Sequence, residues 1–500
     1  MSDLAVELEL VAPNGLKYVQ PVGLFINNEF VESSLKGKLS TINPATETEI
    51  TSVYAAGPED VDSAVQAARK ALREPSWRNM HATERGDLLL KLASLVEEHA
   101  HVLATIETWD NGKPYQHALQ GDVAGTAKCL RYYGGWADKI HGEVIESGPS
   151  KLAYTVRELV GVCGQIILWN FPLSMAAWKL GPALACGNTV VLKPAEQTPL
   201  SVLYLARLVK EAGFPPGVVN ILNGQGTVTG ACIAAHPGID KIAFTGSTAT
   251  GRQIMKLASA NMKNISLETG GKSPLLVFDD ADLDSAATWA HSGVMYNQGQ
   301  ICTATSRILV QEAVYDEFVT AFKDRVRSTS KIGDPFEDAT YQGPQITKAQ
   351  FDRILSYIES GKHEGATLSM GGDAYKDVNG RGFFIAPTVF TDVTDGMKIY
   401  QEEVFGPFVV ISSFRTEEEA VRRANDTTYG LGSSVFTRDM KRAHRVARDI
   451  EAGMVWINSS NDSDYRIPFG GVKQSGIGRE LGEAGLAAYS NIKSIHVNLI

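Results

Sequence analysis

The chain has 500 residues, of which 44% are hydrophobic and 21% are charged, and its formal net charge is −10. This length allows two to four domains with a large buried core, and the composition is typical of a globular protein. The negative charge argues against nucleic acid as the main partner, because phosphate backbones would be repelled. No apolar run approaches the roughly 20 residues that a membrane helix needs, so we expect no membrane partner.

The termini and the cysteines favour a cytoplasmic location. The amino terminus is acidic, has no arginine before Arg69 and lacks an apolar stretch, which is unlike a transit or secretory signal. Residues 497–500 do not form a peroxisomal signal. The cysteines show no Cys-x-x-Cys motif and no Cys/His cluster, so we predict neither disulfides nor a metal site. They are Cys129, Cys163, Cys186, Cys232 and Cys302.

Hydrophobic spacing predicts helices first and then parallel strands. The helical spacing is carried by Val61, Val65, Ala68 and Leu72, and then by Leu88, Leu92 and Leu95. From about residue 160, short apolar runs alternate with amphipathic stretches, which is typical of βαβ units on a parallel sheet. The first series of runs covers residues 162–168, 189–192, 218–222 and 242–245. The second series covers residues 275–278, 308–310, 409–414, 434–437 and 455–458.

Two short segments have a different pattern, with apolar and polar residues in alternation. They are residues 152–157 and residues 495–499. Period-two alternation predicts strands with one apolar face. Because the segments lie far apart in the chain, they could pair with each other or add to another subunit.

Cys302 and Glu268 lie in small-residue, Gly-containing segments that suggest covalent chemistry on a carbonyl. A thiolate is a strong nucleophile and can attack an aldehyde. A carboxylate nearby can take the proton from the thiol, or from a water that hydrolyses a thioester. Read alone, a single cysteine beside glycine also fits a buried packing residue.

Two further features lie at the carboxyl ends of predicted strands, where open α/β sheets bind ligands. Residues 246–251, Gly-Ser-Thr-Ala-Thr-Gly, connect a predicted strand to an amphipathic segment. Glycines in such a turn let backbone amides approach a pyrophosphate, although an ordinary turn would look the same. Lys193 and Glu196 follow the predicted strand 189–192, where a solvated charged pair is the alternative.

Eight strings in the chain match those of a known family. They are Trp169-Asn-Phe-Pro172, Gly181-Pro-Ala-Leu-Ala-Cys-Gly-Asn188, Lys193-Pro-Ala-Glu-Gln-Thr-Pro199, Phe244-Thr-Gly-Ser-Thr248, the segments of Glu268 and Cys302, Glu403-Val-Phe-Gly-Pro407 and Pro468-Phe-Gly-Gly-Val-Lys-Gln-Ser-Gly-Ile-Gly-Arg479. With these strings, and over nearly its whole length, the chain resembles the aldehyde dehydrogenase superfamily. The chain is most similar to the broad-specificity, non-acylating, tetrameric branch, and residues 478–489 look fungal.

The resemblance implies the α/β aldehyde dehydrogenase fold in three parts. A Rossmann-like NAD-binding domain would comprise residues 1–140 and 160–270. An α/β catalytic domain would comprise residues 271–480. A small β oligomerisation arm would comprise residues 141–159 and 481–500, and the assembly would be a homotetramer.

The resemblance also implies roles for the residues of the reaction centre. Cys302 would be the nucleophile, and Glu268 would activate the deacylating water. Asn170 and the Cys302 backbone N–H would stabilise the oxyanion. Lys179 and Glu480 match a pair that can relay a proton outward, although an ion pair with only a structural role is equally compatible.

Cofactor and tunnel residues are carried over in the same way. Trp169, Gly246 and Ser247 would lie near the phosphates. Lys193 and Glu196 would hold the adenosine ribose, and we expect NAD rather than NADP because Glu196 would repel a 2′-phosphate. The remaining matches are Glu403 and Phe405 at the nicotinamide, and Phe171, Met175, Trp178, Ile301, Thr303 and Phe469 along the substrate tunnel.

The expected function is therefore NAD-dependent oxidation of an aldehyde to its acid. A catalytically inactive, crystallin-like structural protein and an NADP-using aldehyde dehydrogenase are the alternatives. The chain departs from the family at Thr269, where leucine is common, and at Leu168, where proline is common. Thr269 would place a hydroxyl near Glu268. The polar segment 459–464 at the tunnel mouth suggests small, polar or aromatic aldehydes.

Overall fold

The computed structural model describes residues 6–378 and 380–500, in which six strands come first, six helices follow, and strands and helices then largely alternate. The strands are β1 Glu7–Val11, β2 Lys17–Pro21, β3 Leu24–Ile26, β4 Glu29–Val31, β5 Lys38–Asn43, β6 Thr48–Tyr54, β7 Val144–Ile145, β8 Lys151–Leu159, β9 Val162–Ile166, β10 Thr189–Lys193, β11 Val219–Ile221, β12 Lys241–Thr245, β13 Asn264–Glu268, β14 Pro274–Val277, β15 Arg307–Gln311, β16 Thr367–Met370, β17 Thr388–Thr391, β18 Phe408–Phe414, β19 Gly432–Phe436, β20 Met454–Ile457, β21 Gly476–Ile477 and β22 Ser490–Asn498. The helices are α1 Pro58–Ala71, α2 Pro75–Arg78, α3 Ala82–Glu98, α4 Ala100–Asn111, α5 Tyr115–His117, α6 Ala124–Trp136, α7 Pro172–Ala185, α8 Leu200–Ala212, α9 Ala231–Ala235, α10 Thr248–Ala258, α11 Leu283–Met295, α12 Tyr315–Thr329, α13 Lys348–His363, α14 Lys398–Gln401, α15 Glu417–Asn425, α16 Met440–Asp449 and α17 Gly482–Ala488.

The larger sheet has eight strands in the order β21-β13-β12-β9-β10-β11-β3-β4. Its five central strands, β13, β12, β9, β10 and β11, run parallel, and antiparallel strands flank them. Strands β9, β10 and β12 are buried along their whole length, as expected for a parallel sheet covered on both faces. After β9, the chain adds β10 and β11 on one side of that strand. It then adds β12 and β13 on the other side. The carboxyl ends of β9 and β12 therefore flank a topological switch point, where such sheets bind ligands.

The smaller sheet contains seven strands in the order β16-β17-β18-β15-β14-β19-β20, and all pairs except β16-β17 are parallel. Its strands include the second predicted series of apolar runs. Leu276 of β14 packs into one apolar cluster, whereas Leu275 and Val277 pack into another on the opposite face. Both faces of this sheet are therefore covered. Only residues 269–273 separate β13 of the larger sheet from β14, which brings the two sheets together beside Glu268.

The two alternating segments pair with each other, which was one of the two arrangements left open by their pattern. Strand β22 runs antiparallel to β8 from Ser490, opposite Leu159, to Asn498, opposite Lys151, and β7 adds to the other edge of β8. The domain boundaries expected from the sequence stay a prediction. Strand β21, which lies within the range 271–480, pairs with β13 of the larger sheet.

Candidate active site

A cavity of about 440 Å³ opens at the switch point of the larger sheet. It brings together most of the residues predicted to act in catalysis or to bind the cofactor. From the larger sheet and the C-terminal segment that follows β21, these are Trp169, Asn170, Gly246, Ser247, Glu268 and Glu480. From the smaller-sheet region they are Cys302, Glu403 and Phe405. Lys179, Lys193 and Glu196 do not line this cavity.

Cys302 is placed by a tight turn that follows α11. This 3₁₀ turn, Tyr296–Gly299, holds Asn297 at φ 48° and Gln298 at φ 57°, a left-handed conformation that persists only when the surroundings impose it. Burial, together with the negative charges of Glu403 and Glu268, raises the pKa of Cys302 to about 12. The thiol is therefore protonated at neutral pH in this environment, and its activation requires a base nearby.

Glu268 ends β13 as a buried carboxyl group, and neither of its oxygens has a hydrogen-bond partner among the described residues. Burial and the charge of Glu480 raise the pKa of Glu268 well above its usual value, and Lys179 and Arg479 partly oppose this. Gly470 makes room for the carboxyl group, because a Cβ there would lie 2.6 Å from Oε1 of Glu268. An unpaired carboxyl group with a raised pKa in a cleft is typical of a general acid or base.

Asn170 connects the loop after β9 to the segment that carries Cys302. Its Nδ2 donates to the Gln300 carbonyl at 2.8 Å. Its own carbonyl accepts from Asn297 Nδ2 at 3.0 Å and from Lys113 Nζ at 3.1 Å. A side-chain amide nitrogen carries two N–H groups, so a second one remains able to donate to an oxyanion.

Lys179 and Glu480 form a buried ion pair beside the cavity. Lys179 Nζ lies 2.5 Å from Glu480 Oε1 and donates to Thr245 Oγ1 at 2.6 Å. Lys179 is fully buried, whereas Glu480 lines the cavity and its Oε2 has no partner among the described residues. Both a proton relay and a structural ion pair fit this arrangement.

The predicted phosphate-binding residues lie at the start of α10 and after β9. Ser247 is the N-cap of α10, and its hydroxyl oxygen accepts a hydrogen bond from the Thr250 N–H at 3.2 Å. Gly246 has no room for a side chain, because a Cβ there would lie 2.3 Å from the Phe244 ring. The rings of Trp169 and Phe405 meet edge to face, with their centroids 5.4 Å apart.

Glu403 faces the glycine-rich segment that connects the two sheets. The Gly271 N–H donates to its Oε1 at 2.9 Å, and a Cβ on Gly270 would lie 2.4 Å from its Oε2. Burial raises the pKa of Glu403 to about 7, although the Gly271 hydrogen bond and two nearby cations oppose the increase. The missing side chain of Gly270 therefore leaves the space in which this carboxyl group approaches the backbone.

Lys193 and Glu196 lie at the carboxyl end of β10. Lys193 is buried, and its Nζ donates to the Pro194 carbonyl at 2.9 Å and to Glu196 Oε2 at 3.2 Å. Burial lowers the pKa of Lys193, with the Glu196 carboxylate opposing. Burial alone would raise the pKa of Glu196. The charge of Lys193, together with the hydrogen bonds that the carboxylate accepts, outweighs this effect, and the pKa of Glu196 lies below its usual value.

The six predicted tunnel residues all line the cavity: Phe171, Met175, Trp178, Ile301, Thr303 and Phe469. The rings of Trp178 and Phe469 meet edge to face, with centroids 5.0 Å apart. Leu168 also lines the cavity. The Thr269 hydroxyl donates to the Gln474 carbonyl at 2.7 Å, so its hydrogen bond goes to a neighbouring loop.

Part of the cavity wall that was not predicted from the sequence comes from the helical region before and within α6. Gly121, Asp122 and Gly125 of this region line the cavity, and so does Tyr296 of the 3₁₀ turn after α11. Asp122 forms a buried ion pair with Lys113 and lies in the π-helical stretch Ala118–Val123. The spacing of Gly121 and Gly125, one helical turn apart, was the signal that could have indicated an open helix face.

This fold and this cavity define a member of the aldehyde dehydrogenase family. A family model described as "Aldehyde dehydrogenase family" matches residues 30–495, and the chain belongs to that family. An aldehyde dehydrogenase of Aspergillus niger is 54% identical over 500 residues, which cover 100% of this chain and 99% of that protein. Retinaldehyde dehydrogenase 3 of Mus musculus is 52% identical over 478 residues, which cover 95% of this chain and 93% of that protein.

Solved structures support the same assignment. The NAD+ complex of an aldehyde dehydrogenase from Bacillus cereus is 50% identical, has a TM-score of 0.94, and covers 96% of this chain and 97% of that one. Together, these similarities confirm the predicted family, the likeness to fungal members and the predicted fold class. Among the described residues, no helix is both long and apolar enough to span a membrane.

Proposed function

We propose that this chain oxidises aldehydes to carboxylic acids, with NAD as the hydride acceptor and a covalent intermediate on Cys302. The observation that carries this proposal is the cavity shared by the Cys302 thiol, the Asn170 amide and the Glu268 carboxyl group, which has no hydrogen-bond partner in the described part of the chain. Membership of the family supports the reaction class. The NAD+ complex of the Bacillus cereus relative supports the choice of cofactor.

Cys302 attacks the aldehyde carbon as a thiolate, and the carbonyl oxygen becomes the oxyanion of a thiohemiacetal. Glu268, in its ionised form, takes the thiol proton. The Asn170 side-chain amide and the Cys302 backbone N–H stabilise the oxyanion, and loss of one such donor costs roughly 3–4 kcal/mol in transition-state energy. Bound NAD would supply the acceptor for the hydride that leaves the carbon, and loss of that hydride converts the adduct on Cys302 to a thioester.

Glu268 first passes the thiol proton outward and is ionised again. Water then attacks the thioester while Glu268 takes a proton from the water, and that proton goes to the leaving sulfur, so that the acid and the free thiol are released. This role for Glu268 is the reason that we expect an acid rather than an acyl-CoA product. Glu480, paired with Lys179, lies close enough to raise the pKa of Glu268 and is our candidate for passing the proton outward.

The chain offers a suitable site for NAD. Gly246 and Ser247 immediately precede α10 at the switch point, and the backbone N–H groups at the start of this helix can meet a pyrophosphate. Trp169 would lie near the phosphates, and Glu403 and Phe405 would hold the nicotinamide ribose. Lys193 and Glu196 would bind the adenosine ribose. The lowered pKa of Glu196 keeps its carboxylate charged at neutral pH, which disfavours the 2′-phosphate of NADP.

The cavity wall favours small, polar or aromatic aldehydes. The aromatic residues Phe171, Trp178 and Phe469 provide an apolar surface for a ring or a short chain. Asn461 and Ser463 line the same cavity and add polar groups to its surface. A kinetic panel with acetaldehyde, benzaldehyde, indole-3-acetaldehyde and betaine aldehyde would rank these classes.

We also propose a homotetramer, built as a dimer of dimers, with β7, β8 and β22 as the oligomerisation arm. This sheet exposes large apolar side chains, including Val144 at 78% and Ile492 at 63% exposure, which a subunit interface would cover. The residue ranges of the three domains belong to the same proposal. A reducing compartment such as the cytoplasm would suit the free cysteines and a catalytic thiol.

NADH absorbance with propanal as substrate tests the function. Wild type should reduce NAD with a higher kcat/KM than NADP, and Cys302→Ala should lose turnover but still bind NAD. Cys232→Ala is the matched control, because Cys232 is a half-buried free thiol outside the cavity lining. Absence of turnover in wild type would favour the crystallin-like alternative. Equal efficiency with NADP would remove the proposed role of Glu196.

A further inference from the structure

Lys113 is a buried cation beside the loop that carries Asn170. Helix α4 ends at Asn111, and Gly112 follows in a left-handed conformation at φ 81°, which turns the chain inward. The side chain of Lys113 is fully buried and pairs with Asp122. Asn111, two residues earlier, donates its side-chain N–H to the Trp169 carbonyl at 2.7 Å. The end of α4 therefore contacts the loop after β9 at two positions.

The ammonium group of Lys113 makes two contacts in that loop. It donates to the carbonyl of Asn170 at 3.1 Å, and it lies 4.1 Å from the ring centroid of Phe171. The same carbonyl accepts from Asn297, which belongs to the turn before Cys302. Two donors from separate parts of the chain thus fix the plane of the peptide between Asn170 and Phe171.

Charge explains why a cation is needed at this position. Burial raises the pKa of Asp122, and Lys113 opposes that increase. Burial also raises the pKa of Glu107, another buried carboxyl group, to about 8, where Lys113 opposes the increase and the charge of Asp122 adds to it. Glu107 Oε1 accepts from the Leu173 N–H at 3.3 Å, at the start of α7. Lys113 is therefore the positive charge between two buried carboxyl groups and the peptide of Asn170.

We propose that Lys113 is a positioning residue that aims the Asn170 side chain at the oxyanion and holds Phe171 in the tunnel wall. This inference rests on the proposed function, in which Asn170 is an oxyanion donor. Lys113 does not line the cavity, so it would act through Asn170 and would not touch the substrate. Small displacements matter at such a site, because a misplacement of about 1 Å can lower a rate about 100-fold.

The test is a double-mutant cycle between this pair and Asn170. Lys113→Met alone leaves Asp122 as a buried, unpaired carboxylate and could fail to fold, so the working variant is Lys113→Met with Asp122→Asn. We expect its kcat to fall about 10- to 100-fold, with NAD affinity unchanged. In an Asn170→Ala background, the same two substitutions should lower kcat by less than about 3-fold, because their effect passes through Asn170.

A matched control separates positioning from general destabilisation of α4. Asp110 lies on the same helix, and its Oδ2 accepts from the Leu200 N–H at 3.0 Å, away from Asn170. Asp110→Asn should lower the melting temperature without lowering kcat.

Three results would overturn the inference. The first is an unchanged kcat in the variant with Lys113→Met and Asp122→Asn. The second is a loss of kcat from these two substitutions that is as large in the Asn170→Ala background as in the wild-type background. The third is a loss of kcat of the same size in Asp110→Asn. Failure of the proposed function itself would look different, because wild type would then lack turnover or Asn170→Ala would keep full activity. Full activity in Asn170→Ala would overturn the role of Lys113 as well.

Discussion

Replacing Lys179 with methionine should destabilise the fold by a predictable amount. The ammonium group is fully buried, lies 2.5 Å from Glu480 Oε1 and donates to Thr245. Without it, Glu480 would remain as a buried carboxylate, 4% exposed, with a second oxygen that already lacks a partner among the described residues. Removing one partner of a buried ion pair costs about 3–5 kcal/mol. We expect the free energy of unfolding of Lys179→Met to fall by about that amount.

A second variant, Lys179→Met with Glu480→Gln, removes both charges and should recover most of the loss. Replacing a whole buried pair by neutral groups is often nearly neutral for stability. Urea unfolding followed by tryptophan fluorescence would measure both variants, at equal protein concentration because association contributes to apparent stability. The reasoning is refuted if Lys179→Met stays within about 1 kcal/mol of wild type, or if the double variant is no more stable than the single one.

The pH dependence of activity in these variants distinguishes a relay from a structural pair. Lys179 lowers the pKa of Glu268, so its removal should raise that pKa further and move the acid limb of kcat to higher pH. Glu480 has the opposite effect, so the double variant should move the limb back. If the Lys179–Glu480 pair is only structural, the kcat of the double variant should recover together with its stability. If the pair relays protons, the kcat of the double variant should stay below that of wild type at every pH.

Two further predictions concern acid stability and assembly. Burial lowers the pKa of His117 and of His291 from 6.5 to about 4, so the unfolded chain binds more protons than the folded one between these values. The stability that depends on these neutral histidines should be fully present above pH 6.5 and should decline as the pH falls towards 4, by about 1.4 kcal/mol for each pKa unit and each histidine. Melting temperatures measured across this pH range should therefore fall less steeply in His291→Gln than in wild type. Deleting the residues after Ser494 should shift the assembly to smaller species in light scattering, and a mass near 54.0 kDa for the intact chain would contradict the proposed tetramer.

The strands of the parallel sheets could be predicted from the sequence. Because both faces of these strands are buried, each strand appears in the sequence as a short apolar run. The run at 189–192 is recovered as β10, and the run at 242–245 as β12. Alternation located β8 and β22, but it could not decide between pairing with each other and pairing with a neighbour. Periodicity gives the apolar face of a strand and does not identify what lies across from it.

The same limit explains the missing part of the site. Asp122 and Gly125 lie in a helical region whose pattern indicates packing, and their place on the cavity wall depends on how α6 packs against α7. Lys113 shows no periodic signal at all, and its importance appears only when its contacts with Asp122 and Asn170 are known. Lys193 and Glu196 were correctly located at the end of a strand, but the structure places them outside the lining of the cavity.

The reaction centre lies between the two sheets, and hydrogen bonds across this boundary hold it together. Asn170 follows β9 of the larger sheet, whereas Asn297 and Gln300 precede β15 of the smaller sheet. Asn297 donates to the Asn170 carbonyl, and Asn170 donates to the Gln300 carbonyl. Each such bond contributes about 1 kcal/mol, and a displacement of one sheet relative to the other would break both. Because these bonds also orient the proposed oxyanion donor, we expect the centre to stay assembled while substrates come and go through the mouth of the cavity.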